Sequence, residues 1–153
     1  MEEPLNDEHY MRLALAEAQH AFEQDEVPVG AIIVARNQVI ARAHNLCERL
    51  NDFTAHAEMQ AFTAASEYLG GKHLDQCTLY VTLEPCPMCA GAAFWTRIGR
   101  IVFGASDTKR GYRLWENPKQ AELTHPKTNV VHGVLEKECS QLLKDFFAQK
   151  RKD

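Results

Sequence analysis

Two short motifs constrain the fold of this chain more than any other feature, because each combines metal-ligand side chains with signals for the start of a helix. They are Thr54-Ala55-His56-Ala57-Glu58 and Glu84-Pro85-Cys86-Pro87-Met88-Cys89. One histidine and two cysteines suit Zn²⁺, and three protein ligands leave one tetrahedral position open. Since a structural zinc normally has four protein ligands, the motifs predict a catalytic Zn²⁺, one per chain, bound by His56, Cys86 and Cys89.

The residues around these ligands predict how the ligands come together. Thr54 is a predicted N-cap for the first helix, and Pro85 and Pro87 open a second apolar run in which proline is tolerated in the first turn. Cys86 and Cys89 are three residues apart, so one helical turn places both sulfurs on one face. The positive end of the helix favours the thiolate, which is the form that binds metal.

Glu58 lies two residues after the predicted histidine ligand. A carboxylate at this spacing can sit beside the metal without binding it and transfer protons there, so Glu58 is the predicted catalytic residue. The alternative is a structural zinc site whose fourth ligand comes from Cys77 or from a distant histidine. The order of the motif and the presence of Glu58 favour the catalytic interpretation.

Composition restricts the remaining classes of protein. With 153 residues, the chain is predicted to form a single domain over residues 1–153. No apolar run approaches the length of a membrane span, and the acidic N-terminus lacks the apolar segment of a secretory signal, so a cytoplasmic location is predicted. The net charge of −4 argues against a general nucleic-acid binder, although it allows a local basic patch.

Apolar periodicity and turn residues predict the order α-β-β-α-β-α-β-loop-β-α. The pairing of strands with helices indicates an α/β fold with a mixed five-stranded sheet and helices on both faces. The two helices that carry the ligands are expected side by side on one face. Gly30, next to an apolar strand, suggests a close backbone approach, for example to a ligand. The predicted helices cover 8–24, 56–68, 86–98 (ended by Gly99) and 136–150, and the predicted strands cover 31–35, 39–45, 78–83, 100–105 and 129–134.

The paired motifs resemble those of the zinc-dependent cytidine and adenosine deaminases, and more narrowly those of the bacterial tRNA-specific adenosine deaminases. The resemblance implies a three-layer α/β/α cytidine-deaminase-like fold, hydrolytic deamination of adenosine to inosine at the wobble position of a tRNA anticodon loop, and a homodimer. It extends from near residue 8 to near residue 150, and the pieces that match are Glu26 to Ala31, Thr54 to Glu58, Thr78 to Ala92, Arg97 to Arg100, Phe103 to Ala105 and Asp145 to Phe147.

The same resemblance implies two substrate-binding residues, Asn45 and Asp107. Asn45 would contact the bound nucleoside, although an asparagine after a strand is also a common turn residue. Asp107 matches a family position beside the substrate backbone. Further candidates for RNA contact are positive charges and aromatic rings in the long loop and the last helix, namely Lys109, Arg110, Lys144, Phe146, Phe147 and Lys150 to Lys152.

Two departures from the family pattern leave the substrate open. Ser106 stands where the close family often has arginine, and Tyr112 to Trp115 replaces a segment of small residues. Bulky aromatic residues can stack on RNA bases or close a pocket over a small molecule. The alternatives are therefore a deaminase of a free nucleobase or nucleoside, such as guanine, adenosine or cytidine, and a zinc-stabilised binding module without catalysis.

Overall fold

The computed structural model describes residues 6–117 and 122–152. Its helices and strands follow the predicted order, with a short 3₁₀ helix inside the long loop at Tyr112–Trp115. The α-helices are α1 (Asp7–Glu23), α2 (Ala57–Leu69), α3 (Pro87–Thr96) and α4 (Glu136–Lys152), and the strands are β1 (Gly30–Ala35), β2 (Gln38–His44), β3 (Cys77–Leu83), β4 (Arg100–Ala105) and β5 (Asn129–His132).

The five strands form one mixed sheet in the order β2-β1-β3-β4-β5. β1 is antiparallel to both β2 and β3, whereas β3, β4 and β5 are parallel. The first five residues of β1 and the last two of the preceding loop are buried, which explains why its sequence is a continuous apolar run. The predicted mixed sheet is confirmed.

Alternate residues of the strands pack against helices on opposite faces, which gives the predicted three layers. Ile32 and Val34 lie in a core cluster with residues of α1 and α4. Ala31 and Ile33 lie in the larger cluster, with residues of α2 and α3. The two helices that carry the predicted metal ligands therefore share one face of the sheet. Within the described residues, no helix combines the length and apolar character needed to cross a bilayer.

The close approach predicted at Gly30 exists, but its partner is α1 and not a ligand. A Cβ at Gly30 would overlap the carbonyl oxygen of Ala14 and the amide nitrogen of Ala18. The buried face of α1 is correspondingly formed by Met11 and small residues, which let the helix lie directly on the sheet. The N-terminal cap of this helix is Asn6, whose side chain accepts a hydrogen bond from the His9 amide at 3.1 Å.

Two predicted helix boundaries were wrong. Thr54 does not cap α2; its amide and hydroxyl both donate to Asp52, and the N-cap residue is His56. Gly99 does not end α3, because the helix stops at Thr96 and Arg97 adopts the left-handed conformation with φ 55°. Gly99 instead packs against the Asp75 carbonyl oxygen, where a Cβ would overlap it.

Candidate active site

The N-terminal ends of α2 and α3 bring the three predicted metal ligands together. His56 is the N-cap of α2, Cys86 is the N-cap of α3, and Cys89 lies in the first turns of α3. The His56 Nδ1 atom is 3.6 Å from Cys86 Sγ and 3.5 Å from Cys89 Sγ. Tetrahedral geometry with ordinary zinc bond lengths would separate such a nitrogen and sulfur by roughly 3.6 Å, so this donor set fits Zn²⁺.

The protonation state of Cys86 also suits a metal. A hydrogen bond from Cys89, aided by His56, lowers the pKa of Cys86 to about 4, so Cys86 is a thiolate near neutral pH. That thiolate raises the pKa of His56 and, together with burial, the pKa of Cys89. The Cys86 thiolate is the form of cysteine that binds a divalent cation, and metal binding would release the protons of the other ligands.

Glu58 lies in the first turn of α2 beside these ligands and is only 4% exposed. Burial raises the pKa of its carboxyl to about 7. A carboxyl with such a pKa can accept and release a proton near neutral pH, which is the property a general acid–base requires.

Asn45 follows β2 directly, and its buried side chain connects the end of this strand to the start of α2. The Oδ1 atom accepts a hydrogen bond from the Ala57 amide at 2.7 Å. The first backbone amide of α2 is therefore bonded by a side chain 12 positions upstream of Ala57. Because Oδ1 is engaged in this way, the group that Asn45 can offer to a substrate is its Nδ2 donor.

Glu84 is a buried charged residue to which the sequence analysis assigned no role. Its buried carboxylate lies between the end of β3 and Pro85, and accepts hydrogen bonds from the Asp107 amide, the Arg113 amide and the Arg113 guanidinium. The signal in the sequence is an acidic residue between a buried strand and a metal-ligand motif. Asp107 is bonded to Glu84 through its backbone amide, and its own Oδ1 atom accepts hydrogen bonds from the amides of Lys109 and Arg110.

The aromatic loop after Gly111 is divided between core and surface. Tyr112 is buried and donates its amide to the Pro85 carbonyl at 2.9 Å, whereas Leu114 and Trp115 are exposed. In the loop before α2, Phe53 is 92% exposed and only three residues from His56. The site thus has exposed apolar side chains on two of its flanking loops.

The last helix, α4, likewise has one buried and one exposed phenylalanine. Phe146 is buried against Phe22, while Phe147 is 44% exposed. Lys150 forms an ion pair with Asp25 and lies over the Phe146 ring. Of the predicted RNA-contact residues of α4, Phe147 and the exposed basic residues Lys144, Arg151 and Lys152 therefore present their side chains to solvent.

The fold and this site define a cytidine-deaminase-like enzyme architecture, and comparisons with known proteins identify the branch. The MafB19-like deaminase family model matches residues 5–151. A tRNA-specific adenosine deaminase of Bacillus subtilis is 48% identical over 147 residues, which cover 95% of this chain and 91% of that protein. The chain therefore belongs to the family of tRNA-specific adenosine deaminases.

Two solved structures resemble the chain over most of its length. One comes from studies of A-to-I editing by tRNA:A34 deaminases; it is 44% identical, covers 88% of this chain and 98% of its own, and superposes with a TM-score of 0.79. The other is a guanine deaminase of Bacillus subtilis, 28% identical over 96% of this chain and 95% of its own, with a TM-score of 0.66. Identity and superposition both favour the tRNA deaminase.

Proposed function

We propose that this chain is a zinc-dependent hydrolase that deaminates adenosine to inosine at the wobble position of a tRNA anticodon. The observation that supports this most strongly is the convergence of His56, Cys86 and Cys89 beside the buried Glu58, in a chain closely related to tRNA-specific adenosine deaminases. The three ligands would hold one Zn²⁺ per chain and leave one coordination position for water. Residues 1–153 would form one deaminase domain.

When bound, Zn²⁺ supplies a Lewis acid that polarises a water molecule and lowers its pKa towards roughly 7. Glu58 would accept one proton from the attacking water as the water oxygen adds to C6 of adenine. Glu58 would then donate this proton to the ring nitrogen, and would next carry the second proton of the water, from the added hydroxyl group, to the amine, so that ammonia leaves and a carbonyl remains. The raised pKa of Glu58 suits it to both the accepting and the donating steps.

Binding of the extruded base would use the two predicted substrate residues. The Nδ2 group of Asn45 lies next to the start of α2 and would donate to an acceptor on the nucleoside. Asp107, held in its turn by two backbone hydrogen bonds, would contact the substrate backbone with its second carboxylate oxygen. An RNA loop is the accessible form of such a substrate, because its bases can be splayed out of the stack.

The charged residues around the site would bind the phosphates of the anticodon loop. Lys109 and Arg110 are exposed beside Asp107, and Arg151 and Lys152 are exposed at the end of α4. The overall charge is negative, so this binding would depend on local patches. Since tRNA is the substrate, we also propose that the protein acts in the cytoplasm.

We further propose a homodimer formed through the outer surfaces of α2 and α3. A groove of about 760 Å³ there is lined by Met59, Phe62, Phe94 and Trp95, and Trp95 is 79% exposed. An apolar surface of this kind fits a second copy of the chain. Trp95→Glu should shift the sedimentation coefficient from dimer to monomer, whereas Trp115→Glu, at an exposed tryptophan outside the groove, should leave it unchanged.

The proposed activity is tested by incubating the zinc-loaded protein with an anticodon stem-loop RNA that has adenosine at the wobble position, in parallel with free guanine, adenosine and cytidine. The matched control is the same RNA with cytidine at that position. Inosine in the first RNA, at a rate that falls steeply with salt, supports the proposal. Turnover of a free base with unmodified RNA would contradict it and would favour a guanine-deaminase-like activity.

A further inference from the structure

Glu84 occupies a position from which it can couple two parts of the site. It follows β3 directly and precedes the Pro85-Cys86 step into the metal-ligand helix α3. Its Oε1 atom accepts from the Asp107 amide at 3.2 Å, and its Oε2 atom accepts from the Arg113 amide at 3.2 Å. One carboxylate therefore bonds the two ends of the loop that contains Asp107.

Arg113 supplies the opposite charge that this buried carboxylate needs. Its guanidinium donates to Glu84 Oε1 at 2.9 Å and to Ser106 Oγ at 2.9 Å, and it lies 5.0 Å from the centre of the Phe103 ring. Ser106 directly precedes Asp107. The guanidinium thus contacts β4, Glu84 and the residue next to Asp107 at once, and its own backbone amide donates to the same carboxylate.

The loop is built closely around this carboxylate. A Cβ at Gly111 would overlap the Glu84 carboxylate, and the Gly111 amide donates to the Asp107 carbonyl at 3.1 Å. Tyr112 adds a backbone hydrogen bond to Pro85. Residues 107–113 are therefore held by contacts with Glu84 and Pro85, the two residues that directly precede Cys86.

We infer that Glu84 and Arg113 form a positioning pair that fixes Asp107 relative to the metal ligands, and so sets the alignment of the substrate for Glu58. Neither residue needs to contact the substrate. The inference rests on the proposed function, because it assigns Asp107 a substrate contact. A displacement of about 1 Å in a positioning group can cost up to 10²-fold in rate, so the pair acts on turnover more than on binding.

The first test is single-turnover deamination at saturating enzyme, on the substrate that wild type converts. Arg113→Ala should reduce the rate roughly tenfold or more while zinc remains stoichiometric. Arg113→Lys keeps the charge but not the planar group and should recover part of the loss. Arg42→Ala removes an exposed arginine of β2, an edge strand three positions from β4, and should match wild type.

A double-mutant cycle with Asp107→Asn separates positioning from general damage to the fold. If Arg113 acts through Asp107, Arg113→Ala should reduce the single-turnover rate by less than about twofold in a protein that already carries Asp107→Asn. Glu84→Gln keeps the shape of the side chain and should behave like Arg113→Ala in both backgrounds. The inference is overturned if Arg113→Ala has wild-type turnover. It is also overturned if Arg113→Ala reduces the single-turnover rate by the same factor in the wild-type and Asp107→Asn backgrounds.

This experiment is distinguishable from a failure of the proposed function. If wild type converts a free base and leaves RNA unmodified, the tRNA proposal fails, yet the same variants can be compared on that base. If wild type edits RNA and the Arg113 and Glu84 variants edit it equally fast, the proposed function stands and the positioning pair is rejected.

Discussion

Two arginine–carboxylate pairs lie at opposite ends of the parallel strands β3 and β4, and they differ in what they hold. Asp7 and Arg100 meet where β4 begins, with two hydrogen bonds of 2.7 and 2.8 Å. Glu84 and Arg113 meet beyond the carboxyl ends of the strands, next to the predicted metal ligands. The first pair joins α1 to the sheet, whereas the second joins a loop to the active site.

The partners of each pair show the difference. Asp7 also accepts a hydrogen bond from Tyr80, a fully buried residue of β3, so this pair connects elements that the core already fixes. Glu84 accepts from the backbone amides of Asp107 and Arg113, which lie in the loop after β4 and outside the sheet. An ion pair between fixed elements contributes to stability, and a pair that holds a loop contributes to the geometry of the site.

The largest effect on activity is expected at the active-site end of β3 and β4, when a predicted metal ligand is removed. Cys86→Ala should abolish zinc binding and reduce deamination by at least about 10³-fold, because two remaining ligands would bind zinc weakly and the proposed reaction uses the metal. Zinc content by atomic absorption and product formation check both. Full zinc and activity in this variant would remove Cys86 from the ligand set.

A smaller effect at the same end is expected from Gly111→Ala. The new methyl group would displace the Glu84 carboxylate and the Asp107 carbonyl, so turnover should fall roughly tenfold, while zinc is retained. Single-turnover kinetics and a thermal melt measure the two consequences. A variant with wild-type kinetics would show that the position of this loop does not control the reaction.

At the opposite end, Asp7→Asn should affect stability and leave turnover unchanged. Removal of the charge weakens two hydrogen bonds to Arg100 and costs about 2 kcal/mol in the free energy of unfolding. Urea denaturation followed by circular dichroism measures this value. A loss of turnover in the folded variant would break the distinction between the two pairs.

The contribution of Asp7 should also depend on pH in a defined direction. Hydrogen bonds from Arg100, and secondarily from Tyr80, lower the pKa of Asp7 below its ordinary value. The stabilisation is therefore complete above the unfolded-state pKa of about 3.9 and is lost as the pH falls through the lower folded-state value. The difference in unfolding free energy between wild type and Asp7→Asn should stay constant from pH 7 to 5 and narrow below pH 4. A difference that grows on acidification would contradict this assignment.

Local patterns in the sequence predicted most of the fold. The apolar strand predicted at 31–35 and the helix predicted at 56–68 are readable because they depend on neighbouring residues, and both are confirmed. The candidate ligand set followed from the residue types, their spacing and the helix-start signals, and the structure brings His56, Cys86 and Cys89 together. These features need little knowledge of which distant segments meet.

The remaining features depend on contacts between distant segments. Asn45 accepts a hydrogen bond from the first amide of α2, 12 residues further along the chain. Glu84 accepts hydrogen bonds from Asp107 and Arg113, which lie 23 and 29 residues further along. Gly30 was correctly predicted to mark a close approach, but its sequence neighbours do not reveal that α1 is the partner. Such roles depend on the topology of the sheet. It brings the carboxyl ends of the parallel strands β3 and β4 together with the long loop that follows β4.

The most direct test of the account is to measure zinc content and deamination in one preparation of Glu58→Ala, beside Glu67→Ala, which removes an exposed glutamate of the same helix. The account predicts one zinc per chain in both variants, wild-type activity for Glu67→Ala, and a loss of about 10²- to 10⁴-fold or more for Glu58→Ala. Loss of zinc together with activity in Glu58→Ala would make Glu58 a ligand and contradict its role as the proton carrier.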